Sequence, residues 1–175
     1  MPKLFTIGHS NRTLQEFINL LQKYQISHIV DIRTVPKSRH VPWFNENELN
    51  ASLHKEKIAY SHFADLGGLR HARKDSINQG WHNVSFRGFA DYMQTPEFYA
   101  GLKKLNLLLK GKRKIAIMCA EAVPWRCHRS LIADAEVVRG IKVFNIMSLS
   151  SLKEHALTSF AIVNRKKKPI QIYYP

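Results

Sequence analysis

Short apolar runs that alternate with helical patterns constrain the fold of this chain most strongly. Runs at residues 4–7, 28–32, 58–63, 114–118 and 141–146 have the length of buried strands. Strands that alternate with helices usually pair in parallel and are covered on both faces. The sequence therefore predicts an α/β fold with a mainly parallel central sheet of about five strands, flanked by helices in a Rossmann-like or rhodanese-like layering.

Helix-start signals support this alternation. Thr13 and Glu16 have the spacing of a capping box, and Asn45 precedes a second apolar helical pattern. Pro96 stands at a first helical position, and a further helix is expected over residues 127–139.

Three segments carry weaker signals. Residues 150–157 are interpreted as another helix, and residues 161–173 as either an edge hairpin or a loose basic tail. Residues 67–88 show no clear period, and an irregular stretch of that length is more often functional than idle, for example as a lid.

Length and charge set the broad class. With 175 residues, 45% apolar and 23% charged, residues 1–175 are expected to form one domain that folds without metal or disulfides. The net charge of +14 is clustered, because residues 32–45 and 98–120 contain no acid and residues 165–168 form a basic run. A polyanion such as nucleic acid is one expected partner, and a solvated basic surface is the alternative.

The expected cellular compartment follows from the absence of two sequence signals. No apolar run is long enough for a membrane span, and no signal-peptide pattern is visible, so we expect no membrane association and a cytoplasmic location. Two cysteines do not make a disulfide framework, and thiols are expected in a reducing compartment. A bridge between Cys119 and Cys127 is the alternative.

The segment from Cys119 to Arg129 concentrates reactive groups. Cys119 ends a predicted strand, and Cys127, His128 and Arg129 begin the next helix, where unpaired amides favour anions and thiolates. We predict a nucleophile at Cys119, with Glu121 or His128 as acid or base and Cys127 in the same catalytic group. The predicted substrate-binding residues are Trp125, Arg126, Arg129, His9, Ser10 and Arg33.

The last three of these residues follow other predicted strands. His9 and Ser10 come after the first strand and Arg33 after the second, and ligands bind where the carboxyl ends of parallel strands meet. The alternative interpretations are purely structural: the cysteines are buried core residues, Arg129 pairs with Asp134 or Glu136, and Trp125 only packs in the loop. The paired spacing of a zinc module is missing, so no metal and no cofactor are expected.

These segments resemble a prokaryotic family called domain of unknown function 488. The matching text is Thr6 to Asn11, Val30 to Arg33, Leu66 to Gly68, Phe86 to Met93, Met118 to Glu121 and Cys127 to Arg129. The resemblance covers about residues 3–147 and leaves 148–175 as a C-terminal extension with the basic run. It implies a compact α/β domain whose site is built from those blocks, and it implies no substrate.

A weaker similarity is to rhodanese and cysteine-phosphatase loops, in which a strand ends on Cys and the loop wraps an anion. The loop departs from them, because Pro124 and Trp125 stand where those loops use small residues. Three hypotheses follow: an enzyme acting on a nucleotide, nucleic acid or sulfur donor; a nucleic-acid-binding module without catalysis; and a scaffold that has kept an enzyme-like fold.

Overall fold

The computed structural model describes residues 2–175. The strands in this range are β1 (Lys3–Gly8), β2 (His28–Asp31), β3 (Ala59–His62), β4 (Ile115–Cys119), β5 (Lys142–Ser148), β6 (Ser151–Glu154), β7 (Ile162–Asn164) and β8 (Gln171–Tyr173). The α-helices are α1 (Leu14–Lys23), α2 (Glu46–Lys55), α3 (Val84–Tyr92), α4 (Pro96–Leu109) and α5 (Arg129–Val137). Short 3-10 helices span Pro42–Phe44, Ala64–Leu66 and Pro124–Arg126.

The first six strands form one sheet in the order β3-β2-β4-β1-β5-β6. All neighbours from β3 to β5 are parallel, and only β6 is antiparallel, at the edge beside β5. The predicted α/β fold with a mainly parallel sheet is confirmed. This order places β4 between β1 and β2, so the ends of these three strands lie side by side.

Helices cover both faces of the sheet. On one face α1 and α2 pack with Phe5, Ile7 and Ile29, and on the other α3, α4 and α5 pack with Val30 and Cys119. Successive side chains of a strand point to opposite faces, so the two sets alternate along the sequence. Each fully buried large apolar side chain adds about 1.5–3 kcal/mol of stabilisation, and the sheet is thereby fixed between two layers.

The predicted helix starts are largely confirmed. Thr13 and Glu16 form both hydrogen bonds of a capping box at α1. Thr95 caps α4, with Pro96 in its first turn. Asn45 is the N-cap residue of α2, but its side chain accepts from the backbone of Ser38 instead of capping the helix.

The predicted helix over residues 150–157 is wrong. Residues Ser151–Glu154 form β6, which pairs with β5 so that Leu152 lies opposite Ile146. A segment this short has little helical stability of its own, and the unpaired edge of β5 offers a row of backbone donors and acceptors. Pairing with that edge therefore outweighs local preference.

The C-terminal segment is a hairpin and not a loose tail. β7 and β8 pair in a separate two-stranded sheet, so the hairpin is not an edge of the main sheet. The basic run 165–168 lies exposed at the turn between them. Beyond β8, Tyr174 is fully buried and donates its hydroxyl to Asp134 at 2.8 Å. Among residues 2–175, no helix combines the length and apolarity needed to cross a bilayer.

Residues 67–83 contain neither helix nor strand, and a buried carboxylate holds them in place. Asp91, at the end of α3, accepts from Ser76 Oγ at 2.6 Å, Asn78 Nδ2 at 2.7 Å and the Arg73 amide at 2.8 Å. Asn78 Oδ1 in turn accepts from the Tyr174 amide. The middle of this segment is therefore bound to the body of the protein, while its first residues reach the cavity described below.

Candidate functional site

The carboxyl ends of β1, β2 and β4 meet at one cavity of about 470 Å³. Gly8 pairs with Cys119 and Asp31 with Met118, so the residues that follow these strands are neighbours. His9, Arg33 and Cys119 line the cavity together with Cys127 and His128. Sequence reasoning predicted this meeting of strand ends, and the structure brings these five residues together.

The two thiols touch each other at the floor of the cavity. Cys127 Sγ lies 2.6 Å from Cys119 Sγ, within hydrogen-bond distance, and both cysteines are free thiols. Their side chains are 2% and 4% exposed, so only the cavity gives access to them. The alternative of a bridge between them is not present in this structure.

Arg129 places a positive charge against the two thiols. Its side chain is fully buried, and Nη1 donates to Cys119 Sγ at 2.8 Å. The same guanidinium donates to the carbonyl oxygens of Glu121 at 2.5 Å and Ala122 at 3.1 Å. Within residues 2–175 it forms no ion pair with a carboxylate. A buried cation without a carboxylate is costly, so a thiolate at Cys119 is the natural counter-ion.

Gly8 leaves room for the Glu121 carbonyl and for the Arg129 side chain at the end of β1. A Cβ on Gly8 would lie 1.6 Å from the Glu121 carbonyl oxygen and 2.7 Å from Arg129 Nη1. The backbone after β4 therefore crosses the end of β1 at a distance that only glycine permits.

The pKa values of the two thiols move apart. Burial raises the pKa of Cys119, but the hydrogen bond from Cys127 and the charge of Arg129 outweigh burial and lower it to about 7. Burial, together with the neighbouring Cys119, raises the pKa of Cys127. As the pH rises through about 7, the pair therefore acquires one shared negative charge, which lies mainly on Cys119.

His128 lies beside Cys127 in the wall of the cavity. Its Nε2 lies 3.0 Å from the carbonyl oxygens of both Ile32 and Leu66, so this nitrogen carries the proton. Nδ1 is then an acceptor, and it lies 3.5 Å from Cys127 Sγ. Burial lowers the pKa of His128 to about 4, which keeps the ring neutral. Gly68 packs directly on the ring, because a Cβ there would lie 2.5 Å from Nδ1.

His9 and Arg33 form another part of the cavity wall. His9 Nδ1 donates to the Ser10 carbonyl at 2.8 Å, so Nε2 accepts and lies 3.4 Å from Arg33 Nη1. Burial lowers the pKa of His9 to about 4, and its ring stacks on Phe44. A neutral imidazole beside a guanidinium thus lines the same cavity as the thiols.

A carboxylate behind this wall neutralises Arg33. Asp31 accepts from Arg33 Nε at 2.9 Å and from Nη2 at 2.7 Å, and Tyr60 donates its hydroxyl to the same carboxylate. Burial and the Asp31 charge raise the pKa of Tyr60. Asp31 and Tyr60 were not predicted as site residues. The Asp-x-Arg spacing was visible in the sequence, but no local signal points to Tyr60, which arrives from β3.

The rim of the cavity combines positive charge with apolar surface. Lys37 and Arg126 are exposed there, and Glu121 is the one acidic residue of the lining. Val35 and Leu69 present exposed apolar side chains, 59% and 74% accessible. This lining suits an organic anion that has an apolar part.

Three predicted binding residues lie elsewhere. The Ser10 hydroxyl contacts Asn11 outside the lining, and Trp125 is 61% exposed beside a second cavity of about 360 Å³ that also contains Trp81. Arg129 lies behind Cys119, not at the surface of the cavity. Its alternative pairing with Asp134 or Glu136 is wrong: Asp134 bonds His155, Thr158 and Tyr174.

Helix geometry explains that outcome. Asp134 is five residues after Arg129 and Glu136 seven, whereas side chains meet along a helix at spacings of three or four.

In the described part of the chain, no three His, Cys, Asp or Glu side chains gather as a metal-binding group.

Comparisons with known proteins agree with the family suggested by the sequence motifs. No curated protein and no solved structure matches the chain. Residues 13–136 match the family described as Domain of unknown function DUF488. The match includes Arg33 and the whole segment from Cys119 to Arg129, and His9 lies just before it. Because more than half of the chain matches, this protein belongs to the DUF488 family.

Proposed function

We propose that this protein is an enzyme in which the Cys119 thiolate attacks an electrophilic group of a small organic anion. The observation that carries the proposal is the contact between Cys119 Sγ and the buried Arg129 guanidinium, which has no carboxylate partner within residues 2–175. A cation held against a thiol stabilises its nucleophilic form. A purely structural cysteine needs no such partner.

The other residues have roles in binding and proton transfer. Lys37 and Arg126 attract the anion to the rim, and Arg33 and His9 face its reacting end. Glu121 is the cavity-lining carboxylate and is assigned to accept a proton during the reaction. His128 keeps a neutral Nδ1 against Cys127. Nucleotides and anionic sulfur donors both belong to the proposed substrate class, and a reducing cytoplasmic location would keep the thiols reduced.

Competing alkylation by iodoacetate and iodoacetamide tests this proposal. These reagents carry the same reactive group but differ in charge, so their rate ratio reports anion attraction at Cys119. We expect the iodoacetate to iodoacetamide ratio to exceed that of a small free thiol by about tenfold, from roughly 1.4 kcal/mol of electrostatic attraction. Lys37→Met and Arg126→Met should lower the ratio, and Lys103→Met, on the surface of α4, is the matched control. A ratio equal to that of the free thiol contradicts the proposal.

One observation favours a second candidate, a nucleic-acid-binding role. The acid-free segment after β2 exposes Lys37, Arg39 and His40, and its first part lines the cavity. A phosphate backbone laid along this segment would place a nucleotide at the cavity. Affinity for single-stranded and duplex nucleic acid should then fall steeply with salt and weaken in Arg39→Met. An absence of binding at low salt would remove this candidate.

A further inference from the structure

The surroundings of Cys127 suit a chemical role of its own, in addition to the role proposed for Cys119. Its sulfur touches Cys119 Sγ at 2.6 Å, the Arg129 amide donates to it at 3.4 Å, and His128 Nδ1 accepts beside it at 3.5 Å. Cys127 thus has a donor that stabilises a thiolate and an acceptor for its proton. These are the surroundings of a second nucleophile.

The contact distance limits what this second nucleophile can attack. A buried sulfur in contact with Cys119 Sγ reaches that atom and not a group bound beyond it. Cys119 Sγ becomes an electrophile when it is bonded to another sulfur, as in a mixed disulfide. A thioether on Cys119 would leave Cys127 without a reaction. The geometry therefore selects substrates that transfer a sulfur group to Cys119.

We propose that Cys119 and Cys127 act as a dithiol pair that reduces a disulfide formed by an acidic organic thiol. This inference rests on the proposed function of Cys119. The positive rim formed by Lys37 and Arg126 binds the acidic groups, and the apolar side chains of Val35 and Leu69 contact the organic part. Cys119 is the attacking thiol, and Cys127 is the resolving thiol.

The two steps balance. First, the Cys119 thiolate attacks one sulfur of the substrate, the substrate S–S bond breaks, and the first thiolate leaves and takes a proton from solvent. Second, Cys127 attacks Cys119 Sγ, the mixed S–S bond breaks, and the second thiolate leaves with the Cys127 proton, relayed through His128 Nδ1. The substrate gains two electrons and becomes two thiols, while the pair loses two electrons and becomes a disulfide. A thiol reductant from solution restores the pair.

The electrostatics favour this order of events. After burial, the main cause that raises the pKa of Cys127 is the neighbouring Cys119. Conversion of Cys119 to an uncharged mixed disulfide removes that charge. The Arg129 guanidinium and its amide then act on Cys127 alone, so the resolving thiol is activated only after the first step.

The disulfide of nitrothiobenzoate is a suitable probe because it is aromatic, carries carboxylates and releases a coloured thiolate. With the wild-type protein we expect two equivalents released per chain, the second at a rate independent of reagent concentration, and an intact mass lower by two hydrogen atoms. Cys127→Ser should release one equivalent and retain the adduct on Cys119. Cys119→Ser should release at most one equivalent and show no loss of two hydrogen atoms, because Cys127 then has no sulfur partner.

The outcomes separate this inference from the proposed function. A wild-type chain that keeps one adduct on Cys119, or one adduct on each sulfur, refutes the resolving role and leaves the nucleophile intact. Slow release from both wild type and Cys127→Ser contradicts the nucleophile and this inference together. Thermal melting checks that the variants fold, and Cys127→Ala replaces Cys127→Ser if needed. The wild-type mass decides the resolving role even if neither variant folds.

Discussion

Replacement of Arg129 by methionine removes the charge that holds Cys119 as a thiolate while keeping a long side chain in the buried space. Burial raises the pKa of Cys119, and the hydrogen bond from Cys127 together with the charge and hydrogen bond of Arg129 lowers it to about 7. Without the guanidinium the pKa should return to at least the free-thiol value of ~8.5, a change worth about 2 kcal/mol. The thiolate fraction at pH 7 then falls about fifteenfold, from about one half to a few per cent.

The alkylation rate at pH 7 changes less than the thiolate fraction does, so the midpoint of the pH profile is the better measurement. A thiolate with a higher pKa is a stronger nucleophile, by roughly fivefold for this shift, and the net rate at pH 7 falls only about threefold. Iodoacetamide alkylation should therefore be followed by mass spectrometry from pH 5 to pH 10 in a Cys127→Ser background. Arg126→Met, which removes an exposed charge without contacting the sulfur, is the control. An unchanged midpoint in Arg129→Met would refute the assigned role of Arg129.

Three further variants or conditions test the framework around the thiols. Asp31→Asn leaves the buried Arg33 without its carboxylate and should lower the free energy of unfolding by about 3–5 kcal/mol, whereas Tyr60→Phe should cost only about 1 kcal/mol in denaturant titrations. Gly8→Ala forces a Cβ against the Glu121 carbonyl and should cost about 3 kcal/mol or prevent folding, while Gly111→Ala, whose nearest neighbour would lie at 3.3 Å, should melt close to wild type. His9 and His128 have pKa values lowered to about 4, below an unfolded value of ~6.5, so the unfolded chain binds protons first as the pH falls. Stability should therefore drop by about 2 kcal/mol per histidine between pH 6.5 and pH 5, and His9→Gln should reduce this dependence; equal slopes for the two proteins would contradict the buried, neutral His9.

The sequence predicted the features that depend on local pattern. Apolar runs and capping residues located β1, β4, α1 and α4, since strand length and N-cap chemistry are encoded within a few neighbouring residues. The prediction that His9 and Arg33 approach Cys119 followed from a general property of parallel sheets. It required only that these residues follow strands whose carboxyl ends meet.

Features that depend on distant partners were beyond the sequence. The direction of the Arg129 side chain is set by loop carbonyls and by the engagement of Asp134 with Tyr174, His155 and Thr158. Tyr60 joins Asp31 because β3 and β2 are neighbours, which no local pattern specifies. The edge strand β6 likewise forms because β5 offers it hydrogen bonds. In each case tertiary contacts overrode or supplemented local preference.

The central claim is that Cys119 is a thiolate paired with Arg129 at neutral pH. Ultraviolet absorbance of the thiolate, titrated against pH in the intact protein and compared with Cys119→Ser and Cys127→Ser, measures this directly. We expect one thiolate per chain with a midpoint near the lowered pKa of about 7, retained in Cys127→Ser, and a second that forms only above the ordinary range of a thiol. Two thiols that both titrate near ~8.5 would contradict it.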